Sequence, residues 1–296
     1  MFVARPQKYK KVVRQFKKKV MKSNFILIFT FLGFFINAQI INGQIISEND
    51  KTPVSYARIG ILDENVGVIS DKNGNFSFDL TNIKKDKNLI VQVGGFENYK
   101  VQIKNIDLSK KLTISLVDKV QNIAEVQLKK QRFTEKNWGS NSHSQKILFA
   151  YYPERTNEDK SKEIAVYFGN NNRVKINKIN VNVAELKADQ PLQLSFNIYS
   201  KKDKLPDESI ITENLTAILT NDEIKNGVFT FDISARNIWI EKEDFFVSMQ
   251  VLNSFGGYLF LSGSLFHTFY KRDFYSKWNK MNIAEPSINI DVKIVK

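Results

Sequence analysis

The sequence contains no cysteine. Disulfides, thiol nucleophiles, thiolate zinc sites and iron–sulfur clusters are excluded together. Without a lipobox cysteine, a lipoprotein anchor is not expected. Histidine is nearly as scarce, with two residues in 296. Neither His143 nor His267 has an H-x-x-E or H-E-x-x-H neighbour, so a zinc hydrolase and any metal or other cofactor are not expected. Six prolines and 13 glycines form no low-complexity tract, which argues against long disordered segments. No G-x-S-x-G elbow occurs, and Gly94-Gly95 and Gly256-Gly257 lack the Lys-Ser/Thr that a phosphate loop needs. A Ser–His–Asp triad and a pair of catalytic carboxylates stay open, because their partners meet only in space. The balance favours a non-catalytic protein.

Charge is abundant but uneven. The net charge is +13, from 44 basic and 31 acidic residues. Nine of the 44 basic residues and none of the acidic ones fall in residues 1–38, so residues 39–296 carry 35 against 31, a net of +4. That is an ordinary surface charge, and a nucleic-acid partner is not expected. The leader explains the excess. Met21-Lys22-Ser23-Asn24 precedes the apolar run Phe25–Ile36, and Asn37-Ala38 follows. A basic region, an apolar stretch and a small exit residue make a secretory signal peptide. Twelve apolar residues would form a helix of about 18 Å, short of a bilayer's roughly 30 Å hydrocarbon core, so no transmembrane span is expected in the mature chain. Cleavage is expected after Ala38, although Ile36 at the −3 position is larger than usual. Translation starts at Met21, or at Met1 with a long basic extension. The expected location is the periplasm, the outer membrane or the cell surface.

Downstream, short strands dominate. Phe76, Phe78 and Leu80 alternate with Ser77 and Asp79, and Leu112, Ile114 and Leu116 repeat the pattern. Asp71, Asn73 and Gly74 lie in a segment rich in residues that tolerate left-handed backbone, and read as a structural turn. An EF-hand loop starting at Asp71 would need a glutamate where Asn82 stands. The fold class is all-β, with two sandwiches: a small Greek-key one over residues 39–128 and a larger jelly-roll-like one over 145–296. Residues 129–144, KKQRFTEKNWGSNSHS, are polar and read as a linker.

Several stretches together carry a resemblance. They are Ile41-Asn42-Gly43-Gln44-Ile45, Thr52-Pro53-Val54 with Ala57, Val68 to Phe76, Gly95-Phe96, and Asn122 to Leu128, the last similar to a closing L-x-E-V-x-V strand. In order and spacing this resembles the carboxypeptidase regulatory-like domain, widespread in cell-envelope proteins of Bacteroidota and at the N-termini of TonB-dependent receptors. The resemblance implies a prealbumin-like seven-stranded sandwich and an accessory role. It covers about 90 residues, and no zinc peptidase domain is attached here.

Candidate binding residues are aromatic. Trp239, Tyr258 and Trp278 would stack on sugar rings if exposed, or else pack structurally. The stretch from Phe269 to Trp278 mixes aromatic and basic residues and reads as a surface loop contacting protein or glycan. Glu241-Lys242-Glu243-Asp244 reads as a solvated loop. The expected function is that of an exported, non-catalytic cell-envelope protein, a structural or interaction module that docks to an envelope partner (an envelope protein or a glycan), with carbohydrate binding by aromatics of the C-terminal sandwich as the alternative.

Overall fold

The computed structural model describes residues 39–108, 110–119, 132–152 and 162–296. By their contacts the described residues divide into two compact units, residues 39–40 with 79–82 and the described residues of 41–78 with 83–296. In the first, the Asp79 carboxylate accepts the Thr81 backbone N–H at 2.8 Å, and Leu80 N–H donates to the Gln39 carbonyl at 2.8 Å. The second unit holds nearly all of the described chain.

Its N-terminal part is built from β1 (Ile40–Ser47), β2 (Arg58–Ile61), β3 (Gly67–Ile69), β4 (Asn75–Asp79), β5 (Asn88–Gln92), β6 (Tyr99–Gln102) and β7 (Leu112–Leu116). They form two sheets, ordered β4-β1-β7 and β3-β2-β5-β6. Period-two side-chain alternation explains the burial. Ile41 and Ile45 of β1 and Phe76 and Phe78 of β4 are buried, while Asn42 and Ser77 are exposed. All of β2 is buried, Arg58 included. The reversal into β4 rests on Asp71, whose carboxylate accepts the N–H groups of Asn73 and Asn75 at 2.8 Å each. Gly74 has φ +73°, and a Cβ there would lie 2.5 Å from the Ile45 carbonyl oxygen. Only glycine meets both demands. The closing strand expected over Ile123–Leu128 lies outside the described residues.

The C-terminal part carries sixteen further strands among the described residues: β8 (Phe133–Gly139), β9 (Leu148–Tyr151), β10 (Lys162–Phe168), β11 (Val174–Ala188), β12 (Leu192–Lys202), β13 (Leu205–Ser209), β14 (Leu215–Leu219), β15 (Ile224–Lys225), β16 (Val228–Asp232), β17 (Trp239–Ile240), β18 (Phe245–Val251), β19 (Gly257–Leu265), β20 (Phe269–Asp273), β21 (Asn279–Met281), β22 (Ala284–Pro286) and β23 (Ile288–Val295). A seven-stranded sheet runs β13-β12-β18-β10-β20-β21, with β14 on β12. A nine-stranded sheet is organised around the long β11, which pairs with β16, β17, β19 and β23. One apolar cluster fills the space between them, including Ile164, Val166 and Phe168 of β10 and Val247 and Met249 of β18 from one sheet, and Ile179 and Val181 of β11 and Ile290 of β23 from the other. The all-β sandwich class is as the alternation predicts.

Three local expectations are corrected. The expected linker, 129–144, contains β8, which pairs with β23 from Asn289↔Gly139 to Val295↔Phe133. Most of its side chains are exposed, so no apolar alternation marks it; main-chain pairing at the sheet edge makes it a strand. The expected loop Lys201–Glu208 is a hairpin. Asp203 and Lys204 have φ +50° and +66°, the two-residue turn that matches strand twist, and Pro206 sits in the edge strand β13, where a missing N–H is tolerated. The expected surface loop from Phe269 begins as β20, paired with β10 on one side and β21 on the other. Tyr270, Arg272 and Tyr275 are buried.

Candidate functional site

On β10 the residues facing the sandwich core are Ile164, Val166 and Phe168, so Glu163 and Ala165 point to the opposite face of the seven-stranded sheet. That outer face is covered at one end. Glu163 stands in register between Gln250 of β18 and Arg272 of β20, and Arg58 of β2 reaches it from the N-terminal sheet. The Glu163 carboxylate accepts from Arg58 Nη1 at 2.6 Å, Arg272 Nε at 2.8 Å, Ser248 Oγ at 2.7 Å and Tyr199 OH at 2.9 Å. Arg58 Nη2 donates to Gln250 Oε1, and Arg272 Nη2 donates to Tyr199 OH at 2.9 Å. Arg58, Glu163 and Arg272 are each less than a tenth exposed.

Burial by itself would push the Glu163 carboxyl up. The guanidiniums of Arg272 and Arg58, with the Ser248 hydroxyl, reverse this and hold it at about 2. Tyr199 is pushed up to about 12 by burial and by the neighbouring carboxylate. Burial likewise raises Tyr275, whose hydroxyl donates to the Arg58 carbonyl at 2.7 Å. The N-terminal sheet meets this hairpin through glycine. Gly60 and Gly67 are cross-strand partners; a Cβ on Gly60 would lie 2.7 Å from the Tyr275 ring, and one on Gly67 2.6 Å from the Phe274 ring. Two bare backbone positions therefore seat two aromatic side chains. The charge cluster is a seam joining the two sandwiches within one unit. Its ionised groups are consumed by one another, with one loose end, Gln250 Nε2, which has no hydrogen-bond partner.

The three aromatics singled out in the sequence do not share a face. Trp278 packs on the seam, its ring centroid 4.4 Å from the Arg272 guanidinium and edge-on to Tyr199. Trp239 pairs in register with Lys175 near the start of β11, under the Arg173 guanidinium at 4.9 Å. Tyr258 pairs with Lys187, near the end of the same strand. Twelve residues of strand between them put the two about 40 Å apart. Tyr258 alone has aromatic company of the kind a sugar platform uses. Its ring stacks on Phe260 with centroids 4.5 Å apart and planes 16° apart, Tyr152 meets Phe260 edge-on at 5.6 Å, and its hydroxyl donates to Glu185 Oε1 at 2.6 Å.

Of the other sequence candidates, Asp244 accepts from Tyr167 OH at 2.7 Å, from Lys201 Nζ at 2.5 Å and from the Asn170 N–H at 3.0 Å. Lys201 first, then Tyr167 and Asn170, hold it at about 2. His267 Nδ1 lies 3.3 Å from Glu285 Oε1; burial raises the Glu285 carboxyl, against the pull of His267. A groove of about 470 Å³ runs beside β3, lined by Val66, Val68, Ile69, Leu252, Ser254 and Phe274 among others, with no titratable side chain. Among the described residues no group of three or more His, Asp or Glu is placed to hold a metal ion.

An exposed apolar feature was not singled out by sequence. Leu265 ends β19 and Phe266 follows it, while Met281 ends β21 and Ile283 precedes β22. Leu265 pairs with Ala284, Met281 with Phe269, and Phe266 N–H donates to the Ile283 carbonyl at 3.0 Å. These bonds bring two turns together at one tip. Phe266 is 92% exposed and Ile283 80%. Phe266 also has φ +63°, a left-handed conformation unusual for a bulky side chain. The seam, too, had a signal: Arg58 is a lone charge in the apolar run Val54–Ile61.

Comparison with known proteins supports the resemblance for one region. Residues 41–128 match the model of the CarboxypepD_reg-like domain family. No curated protein matches the chain by sequence. Among solved structures, that of infectious bursal disease virus, Gx strain, is similar at 12% identity and a TM-score of 0.26, over 86% of this chain and 61% of that one. A score that low carries no argument. Among the described residues no helix is long and apolar enough to cross a membrane, which says nothing of a β-barrel.

Proposed function

We propose that this chain is an exported, non-catalytic module of the cell envelope that docks to an envelope partner. The observation that carries the reading is the apolar tip of Leu265, Phe266, Met281 and Ile283, which is exposed on a framework held by the Arg58–Glu163–Arg272 seam. The buried charges of Arg58, Glu163 and Arg272 join the sandwiches, and the exposed tip offers hydrophobic contact, as a binding module does. The match of residues 41–128 to a regulatory-like module and the leader ending at Ala38 support the same view.

Fractionation with N-terminal sequencing tests it. The expected product begins after Ala38 and sediments with washed envelopes, and Phe266→Asp with Ile283→Asp releases it. An intact Met1 on a cytosolic protein would overturn the reading. Carbohydrate binding is the second reading, favoured by the stacked Tyr258–Phe260 pair with Glu185 beside it. A glycan array answers it: specific binding abolished by Tyr258→Ala, and unaffected by Trp239→Ala, would make this the function.

A further inference from the structure

We propose that the tip seats the protein on a lipid bilayer surface bearing anionic headgroups. This names the partner of the surface described above, and rests on the envelope reading only for where in the cell the contact occurs.

The first observation is shape. Phe266 and Ile283 are 92% and 80% exposed on adjoining turns, flanked by Leu265 at 43% and Met281 at 39%. A protein hot spot is normally a side chain that fills a partner's dry pocket, or receives one in its own. The groove of about 470 Å³ is lined by other residues, and the projecting side chains stand outside it. A fluid layer needs no matching pocket: apolar side chains enter the boundary between headgroups and acyl chains.

The second observation is charge. From Ser262 to Glu285 the chain carries Lys271, Lys277 and Lys280, with His267, against the acids Asp273 and Glu285, the second buried and 3.3 Å from His267; Arg272 is buried and paired with Glu163. Lys280 immediately precedes Met281 and is exposed, and so is Lys146, next to Ile147 whose carbonyl accepts the Gly263 N–H at 2.8 Å. An apolar tip with the exposed Lys280 and Lys146 beside it complements a surface that is apolar below and phosphate-rich above. The net charge of +4 over residues 39–296 is too small to produce this by general attraction, so the local arrangement matters.

The absence of native cysteine makes the test site-specific. Asn282→Cys places a single thiol between Met281 and Ile283, and Lys225→Cys places one on β15 as a control; each is labelled with an environment-sensitive dye. Phosphatidylcholine vesicles containing phosphatidylglycerol should shift the emission at position 282 to shorter wavelength and leave position 225 unchanged. Omitting phosphatidylglycerol should weaken the response at least about tenfold, and Lys280→Ala about fivefold. Phe266→Asp with Ile283→Asp should abolish it, with the far-ultraviolet circular dichroism unaltered. No shift at position 282, or a shift that survives the double aspartate substitution, overturns the proposal. A protein that gives no shift yet stays on washed envelopes through these residues has a protein partner: the lipid assignment falls and the envelope reading stands. A cytosolic protein with Met1 intact that gives the full pattern does the reverse.

Discussion

The seam and the tip invert the usual distribution of side chains. At the seam a carboxylate and two guanidiniums are buried; at the tip four large apolar side chains are exposed. The difference lies in what each costs the fold. A buried charge is tolerated only when it is paired and hydrogen-bonded, and Glu163 has four donors arranged around it. The seam is therefore a cooperative unit in which each member depends on the others. An exposed Phe or Ile costs folding little, and the fold gains little from it. Substitution of the tip residues should therefore move stability little.

The largest expected effect is at the centre of the seam. Glu163→Gln keeps the shape but leaves two buried guanidiniums without a counter-charge, and should cost about 3–5 kcal/mol in urea unfolding. Replacing the triad together, with Arg58→Met, Glu163→Leu and Arg272→Met, should recover most of that loss. If the single substitution is harmless, the seam is not a coupled unit.

Acid probes the same pair. The Glu163 carboxyl is at about 2 in the folded chain against 4.5 when unperturbed. A depressed value means that its contribution is fully present above the unfolded value and is lost as pH falls through the folded one. Between those limits the parent should lose about 3 kcal/mol that the Glu163→Gln variant does not. Parallel acid-unfolding curves for the two would contradict this.

Gly60→Ala should come next. Its Cβ would meet the Tyr275 ring at 2.7 Å and the Val66 carbonyl oxygen at 2.7 Å, which should cost about 1–3 kcal/mol. The tip should respond least. Ile283→Ser should stay within about 0.5 kcal/mol of the parent, and Phe266→Gly should stabilise slightly, by about 1 kcal/mol or less, because glycine accepts φ +63° without strain. A loss of several kcal/mol at Ile283 would mean that the tip is part of the core, and would remove the contrast with the seam.

What the sequence determined by itself was local. Alternation along segments such as Leu192–Ile198 and Phe245–Val251 and the Asp71–Gly74 turn chemistry defined strands and an all-β class, and the spaced motifs from Ile41 onward identified the regulatory-like region. These depend on neighbours two to five residues apart. What only the tertiary structure decided was which polar face meets water. Glu163 and Arg272 occupy positions opposite the apolar ones on β10 and β20, and the period-two pattern assigns such positions to solvent. The N-terminal sheet covers them with Arg58, 105 residues before Glu163, and nothing local to either strand records that contact. The converse holds for β8, whose exposed side chains give no pattern and whose strand exists because β23 offers it main-chain partners. The tip is of the same kind: Leu265 and Phe266 read as one more apolar run until the pairing with Ala284 and Ile283 turns them outward.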